Sequence, residues 1–317
     1  KARRSEILKT LAALVVHVRS IPDRDDLRSG KARIDQLRDI GIEDLLSHDP
    51  IVPVDRISGN IGGKVVMVTG AGGAIGTSLC RQILCQAPRH LILYEPSEDA
   101  LHAAEQQLID YASTHGIAAQ ITAVLGSAQM AHRVESSLRL FKVQSLYHVV
   151  AGQNPNEVGR TTVEDIRNTV FGTKTVAKAA VAVGVNTLVL ISSDKAMQPT
   201  NVMTASRRMA EMICQSLAQS LTCAGTKIAI VRIGSLVGRS GSIVPLLSRQ
   251  IVAGGLIRLP HPEMTRHFMS QCDASQLVLQ VGAIEKTGQI FVLNMGAPVR
   301  IAELAERMVR LRGMKPV

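Results

Sequence analysis

The sequence predicts an α/β fold: a doubly wound parallel sheet with a smaller C-terminal lobe. Three observations carry that expectation. From Lys64 onward, apolar runs of strand length alternate with longer stretches of helical period, the pattern of repeated strand–helix–strand units with right-handed crossovers. The first run is followed at once by TGAGGAIG, with glycines at 70, 73 and 76, and then by a helical pattern through Leu79, Ile83 and Leu84. The second run, His90 to Tyr94, ends in Glu95, nineteen residues past Gly76.

Each part of that opening unit has a physical reason. Val65, Val66, Met67 and Val68 run without a polar break, as in a strand buried on both faces. Gly70 permits a sharp turn, Gly73 lets the backbone approach a pyrophosphate, and Gly76 lets helix and strand pack closely. The helix that opens at Ala74 and Ile75 offers free N–H groups and a positive dipole end to phosphates. A carboxylate at Glu95 can accept hydrogen bonds from an adenosine ribose and disfavours a 2′-phosphate, so NAD is expected over NADP. A glycine-rich turn without a ligand is the alternative. The strand before it, the helix after it and the acid beyond favour a dinucleotide site.

The remaining strands are expected at 90–94, 120–125, 145–150, 186–192, 227–233 and 289–293. Helices are expected near 76–86, 97–114, 128–140, 163–183, 203–221, 243–253 and 300–312. Residues 1–62 precede the sheet as an arm or connector: an amphipathic helix through Ile7, Leu8, Leu11, Leu14 and Val15, a polar stretch, and a short helical pattern from Ile34 to Leu46. Residues 63–230 then form the dinucleotide-binding domain and 231–317 the smaller lobe.

Composition bounds the function. The 317 residues are 46% apolar and 20% charged, enough for one sizeable core and a second lobe. The net charge of +10 suggests anionic company. With 2% aromatic residues and no nucleic-acid module, nucleic acid is not expected as a partner. No apolar run reaches the roughly 18 residues of a membrane span. The five cysteines, Cys80, Cys85, Cys214, Cys223 and Cys272, lack CxxC spacing and read as reduced, buried thiols of a cytoplasmic protein. No metal site is expected. The chain begins with Lys1 rather than Met, which suggests a piece of a longer protein.

The strand at 186–192 delivers Ser192, Ser193, Asp194 and Lys195 to its C-terminal end, where ligands bind in open α/β sheets. A hydroxyl, a carboxylate and an amine in sequence could act as hydrogen-bond donor, acid and base beside a bound cofactor. A solvated charge pair in a loop is the other reading of Asp194 and Lys195.

The glycine turn, the run LISSDKAMQPTNVM and the segments GRSGSIVPLLSRQIVAGG and HPEMTRHFM together resemble the extended short-chain dehydrogenase/reductase family, with its Rossmann-type sheet. More narrowly they are similar to its polysaccharide-biosynthesis branch, the membrane-anchored UDP-N-acetylglucosamine 4,6-dehydratases of the CapD kind. That resemblance implies a redox-neutral elimination on a UDP-sugar substrate, with NAD retained as cofactor, giving a UDP-4-keto-6-deoxy sugar. It implies that Asp194 protonates the leaving C6 hydroxyl, Lys195 removes the C5 proton and Ser193 hydrogen-bonds near the C4 oxygen. It further implies cofactor contacts at Val150 and Ala151 and substrate contacts at Asn201, Ser235, Ser242, Pro245 and Arg266. Arg266 could clamp a pyrophosphate with a charge-assisted fork, or be a surface ion pair. A homo-oligomer on the cytoplasmic face of the inner membrane, tethered by a segment outside this chain, is also implied.

Several residues depart from that branch. Met203 holds the place that most of the superfamily gives to tyrosine, as is usual in the branch. The lysine expected four residues on is Arg207, which keeps the charge but is longer and planar. An active-site wall usually containing an aromatic residue, a lysine and a histidine reads Gly152, Gln153, Asn154, and the adenine-facing and UDP-facing positions carry Ser127 and Ser235. Two further readings therefore stand beside the dehydratase: a catalytically degenerate nucleotide-binding homologue with a regulatory or scaffolding role, and a nucleotide-sugar epimerase.

Overall fold

The computed structural model describes residues 2–21, 33, 37–40, 58–150, 163–220, 225–237, 243–254, 256–259, 261–284, 286–292 and 297–315. The chain forms two compact units, one of residues 51–234 with 271–294, the other of residues 1–50, 235–270 and 295–317.

The larger unit is built on seven strands: β1 (Val65–Thr69), β2 (His90–Glu95), β3 (Gln120–Leu125), β4 (Ser145–Val149), β5 (Thr187–Ser193), β6 (Lys227–Ile233) and β7 (Ile290–Val292). They lie in the order β7-β6-β5-β4-β1-β2-β3, and every pairing is parallel. The strand order reverses between β1 and β4, which opens a crevice at their carboxyl ends. All five residues of β1 are buried, as the unbroken apolar run requires of a strand with helices on both faces.

After a four-residue helix at Ser58–Ile61, the helices of this unit are α1 (Ala74–Leu84), α2 (Glu98–Thr114), α3 (Ala131–Phe141), α4 (Val163–Ile166), α5 (Gly172–Val183), α6 (Val202–Gln219) and α7 (Gln271–Ala283). A π-helical turn, Arg167–Phe171, joins α4 to α5. Met67, Ile92, Leu146, Leu188, Leu190, Ile228 and Ile230 of the sheet pack with Leu138, Val176, Ala180, Ala210 and Cys214 of the helices in one core. Burying each large aliphatic side chain of this kind contributes roughly 1.5–3 kcal/mol gross.

Three expectations need correction, the third in the second unit. Helix α7 lies where no element was expected. Its first turn packs closely on α1: Ser78 Oγ donates to the Gln271 carbonyl at 3.1 Å and lies 3.0 Å from Ser275 Oγ. Of the five cysteines, only Cys80 and Cys214 are buried among those described, whereas Cys85 and Cys272 are exposed. They sit at helix ends, where a polar surrounding replaces the core. Cys223 lies outside the described residues.

The second unit has its own core of Val237, Leu247, Ile251, Phe268, Ile301, Leu304, Met308 and Val309. Ser235–Leu236 pairs in parallel with Phe268–Met269, and Thr265–Arg266 pairs antiparallel with Val299–Arg300. Arg38–Asp39, within a stretch expected to be helical, pairs antiparallel with Arg19–Ser20. Among the described residues, no helix is long and apolar enough to cross a membrane.

Candidate active site

At the carboxyl end of β1 the glycine turn closes on itself. Gly70 has φ +70°, and a Cβ there would stand 2.6 Å from the Val149 carbonyl oxygen. Its N–H donates to the Tyr94 carbonyl at 2.8 Å, and its own carbonyl accepts from Gly73 N at 3.2 Å. A Cβ on Gly76 would collide with the Gly70 carbonyl oxygen, so close packing of helix on turn demands glycine at that position. Gly73 caps α1 without a side-chain acceptor. The first N–H groups of α1, on Ala74, Ile75 and Gly76, have no intrahelical acceptor and are available to a phosphate. Both glycine positions form a cradle that a side chain would fill, and the site fits a dinucleotide.

Glu95, buried at the end of β2, faces the same turn. Its carboxylate accepts from Gly72 N at 3.1 Å and from Ser97 N at 3.3 Å. Burial pushes its pKa up from the ordinary carboxylate value, opposed by these two backbone hydrogen bonds. The group that would read a ribose therefore also holds the loop that would read the pyrophosphate.

Across the crevice, β4 ends with a directed chain of hydrogen bonds. His148 Nδ1 lies 2.6 Å from Thr69 Oγ1, and its Nε2 lies 3.1 Å from Thr173 Oγ1. Thr173 donates its own proton to the Thr169 carbonyl at 2.6 Å. These partners assign the tautomer: Nε2 carries the proton toward Thr173, and Nδ1 accepts from Thr69. Burial lowers the His148 pKa to about 4, so the ring is neutral. Val150, the next expected cofactor contact, is buried. Ala151 and the wall of Gly152, Gln153 and Asn154 lie outside the described residues.

Strand β5 ends at Ser193 and runs into a short 3₁₀ turn, Asp194–Ala196. Ser193 Oγ donates to Asp194 Oδ1 at 2.9 Å, and the Lys195 N–H donates to the same oxygen at 2.8 Å. Lys195 is exposed and Asp194 partly so. Asn201 caps α6: its Oδ1 accepts from Thr204 N at 3.0 Å, and Thr204 Oγ1 accepts from Asn201 N at 3.2 Å. Met203 and Arg207 follow on α6, both partly buried, and with Glu211 they recur at four-residue spacing along one side of the helix.

The structure thus brings the glycine turn, Glu95, Val150, Ser193, Asp194 and Lys195 to one edge of one sheet. Ser235, Pro245 and Arg266 belong to the second unit. There Ser235 N donates to the His267 carbonyl at 3.0 Å, Pro245 lies in the helix Ile243–Ala253, and Arg266 is half-buried opposite Val299. Ser242 lies outside the described residues. Among those residues no group of His, Cys, Asp and Glu could hold a metal ion.

Sequence reasoning missed a buried ionic cluster next to Ser193. Glu211 is fully buried and accepts from Ser192 Oγ at 2.7 Å, from Arg232 Nε at 2.8 Å and Nη2 at 2.6 Å, and from Arg208 Nη1 at 3.0 Å. Burial alone would raise its pKa, but the hydrogen bonds from Arg232, Ser192 and Arg208 and the Arg232 charge hold it below the ordinary value. The signal was present: Arg232 interrupts an apolar strand run, and Glu211 sits between Ala210 and Cys214 on the inward helix face. Charged residues in such registers are buried only when paired.

The comparisons with known proteins agree with this architecture. The family profile described as "Polysaccharide biosynthesis protein" matches residues 66–317. Capsular polysaccharide biosynthesis protein CapD of Staphylococcus aureus is 38% identical over 314 residues, 99% of this chain and 52% of CapD. The chain therefore spans about half the length of that curated relative. Among solved structures, Pen from Bacillus thuringiensis aligns with a TM-score of 0.71 and 27% identity over 80% of this chain and 74% of Pen. DesIV, a dTDP-glucose 4,6-dehydratase from Streptomyces venezuelae solved with NAD bound, aligns with a TM-score of 0.65 and 20% identity over 77% of this chain and 80% of its own. At that identity the likeness to DesIV is one of fold. The profile match across the sheet and the second unit, together with the identity to CapD, shows that the chain belongs to the polysaccharide biosynthesis protein family.

Proposed function

We propose that the protein catalyses NAD-dependent 4,6-dehydration of a UDP-N-acetylhexosamine. The observation that carries this reading is the gathering, at one sheet edge, of the glycine turn with Glu95 and the Ser193–Asp194–Lys195 turn. Bound NAD, as in DesIV, would supply a two-electron acceptor for the hydrogen at C4 and return it at C6. The chain's own residues do the rest. The α1 N–H groups hold the pyrophosphate, and Glu95 accepts from the adenosine ribose. Ser193 takes the C4 hydroxyl proton and relays its own to Asp194 as the C4 hydrogen leaves. Asp194 passes that proton to the departing C6 hydroxyl. Lys195 takes the proton from C5 and returns it there when hydrogen comes back to C6. Lys195 is exposed in the free protein, so a bound sugar must supply the desolvation that lowers an amine toward neutrality. Arg207 stands where the branch carries lysine and supplies positive charge on α6. Asn201, Ser235, Ser242, Pro245 and Arg266 are assigned to the UDP-sugar.

A second reading, a nucleotide-binding homologue without turnover, is favoured by that same Arg207, whose planar fork does not reproduce an ammonium point charge. The exposed α6 residues Val202, Met209 and Met212 support self-association, and we infer a homo-oligomer. The part of the relatives' length outside this chain is where we place a tether to the cytoplasmic face of a membrane.

The deciding experiment incubates the protein with NAD⁺ and UDP-N-acetylglucosamine and follows the nucleotide-sugar by mass spectrometry, with proton NMR to separate isomers of equal mass. Loss of one water from the sugar supports the dehydratase. An unchanged sugar, in a protein that binds NAD and UDP by calorimetry, supports the non-catalytic reading, and an isomer of equal mass supports an epimerase.

A further inference from the structure

We propose that Glu211 is a positioning residue, which sets the Ser193–Asp194–Lys195 turn by gripping the hydroxyl of Ser192. The proposal rests on the reading of that turn as the reacting part of the site. Ser192 and Arg232 are register partners across β5 and β6, their side chains lie on the same face of the sheet, and both bond to Glu211 of α6. One carboxylate thus joins the ends of two strands to the helix that carries Met203 and Arg207.

Two features argue that this cluster does more than hold the fold. A buried ion pair is weak evidence for stability, because desolvation offsets the attraction and apolar residues of similar volume serve a core at least as well. Its placement is also specific. The bonds within the turn are local: Ser193 to Asp194, and Lys195 N to Asp194 and to Ser193. Ser192 is one residue upstream, its hydroxyl is buried, and that hydroxyl is bonded to a different element. With four donors on two oxygens, Glu211 has one geometry, and the Ser192 hydroxyl passes that geometry to the backbone leading into Asp194.

The test uses the full chain with Ser192→Ala, Ser192→Thr, Glu211→Gln and the double variant Ser192→Ala/Glu211→Gln. Ser192→Ala leaves the Glu211–Arg232 pair intact, so it remains informative even where Glu211→Gln fails to fold. It is expected to lower kcat about tenfold with KM for UDP-N-acetylglucosamine changed less than about twofold, an interaction felt in the transition state rather than in binding. Ser192→Thr, which keeps a hydroxyl, restores kcat, and the double variant is no worse than Glu211→Gln alone. Hydrogen exchange at the amides of residues 194–196 accelerates in Ser192→Ala but not in Val176→Ala, a buried control on α5. An unchanged kcat in folded Ser192→Ala, or unchanged exchange at 194–196, overturns the proposal. Should the wild-type protein leave UDP-N-acetylglucosamine untouched, the dehydratase reading fails. The exchange measurement then decides the positioning role by itself.

Discussion

Thr69, the last residue of β1, donates its hydroxyl proton to Nδ1 of His148, the penultimate residue of β4, at 2.6 Å. The contact spans the point where the strand order reverses, so the glycine turn and the opposite wall of the crevice share one buried imidazole. That imidazole is held neutral, with its pKa at about 4 rather than 6.5. The unfolded chain therefore takes up the His148 proton first as pH falls. The contribution is complete above about pH 6.5 and is lost as pH drops toward 4, with a slope approaching roughly 1.4 kcal/mol per pH unit and a total near 3 kcal/mol. His148→Gln should remove that part of the slope. Denaturant unfolding of both proteins between pH 4 and 8 checks it, and parallel curves would refute it.

The glycine turn gives a steric prediction. A methyl on Gly76 meets the Gly70 carbonyl oxygen, which is backbone and cannot swing aside. Gly76→Ala should open the turn, cost about 1–3 kcal/mol of stability and weaken NAD at least about tenfold. Calorimetric titration with NAD, alongside thermal unfolding, measures both. Wild-type affinity in the variant would mean that the cofactor does not use this cradle.

Glu95 predicts cofactor choice. Its carboxylate would repel a 2′-phosphate, while an amide in its place still accepts from Gly72 N. Glu95→Gln should therefore raise the affinity for NADP relative to NAD by about tenfold, which corresponds to roughly 1.4 kcal/mol. Paired titrations with the two dinucleotides decide it; an unchanged ratio would remove Glu95 from the ribose.

How much of this was legible in the sequence depended on how local the signal was. The seven strands and the turn at Gly70 to Gly76 were readable because each strand carries a short, mainly apolar run between helical stretches and the turn is contiguous. Helix α7 was hidden although it buries Ala274, Ser275, Val278, Leu279, Val281 and Gly282, and a Cβ on Gly282 would stand 2.7 Å from the Tyr147 hydroxyl. Its large buried apolar residues, Val278, Leu279 and Val281, fall within four positions, too short a run to mark a helix by period. The partners within the Thr69–His148–Thr173 chain and the Ser192–Glu211–Arg232 cluster were hidden for a different reason, although the charges of Arg232 and Glu211 stood out in apolar surroundings. Their members are far apart in sequence, and only the strand order and the packing of α5 and α6 on the sheet bring them together.

The cysteines carry a labelling prediction. Burial raises the Cys80 thiol far above its usual range and the Cys214 thiol to about 12, whereas Cys85 and Cys272 are exposed. Since the thiolate is the reacting species, a maleimide should modify Cys85 and Cys272 in the folded protein and reach Cys80 and Cys214 only in denaturant. Peptide mapping after timed labelling identifies the sites. Prompt labelling of Cys214 in the native state would contradict the packing of α6 on the sheet.

Arg207 separates turnover from mere binding. It lies one helical turn beyond Met203 and one before Glu211 on α6, and both proposed readings turn on whether its guanidinium can do the work that the family resemblance assigns to an ammonium. If it serves, Arg207→Met should reduce turnover by about 10²-fold, the usual scale for one electrostatic partner, while Arg207→Lys stays within about threefold of wild type, because the charge survives although the fork is lost. If several pocket residues have drifted together, neither variant turns over substrate, since Arg207→Lys leaves the Gly152, Gln153 and Asn154 wall unchanged. A large gain from Arg207→Lys alone would contradict both expectations and make this one side chain the limiting difference. Steady-state assays of the three proteins with NAD⁺ and UDP-N-acetylglucosamine distinguish these outcomes, with NAD calorimetry confirming that each variant still binds.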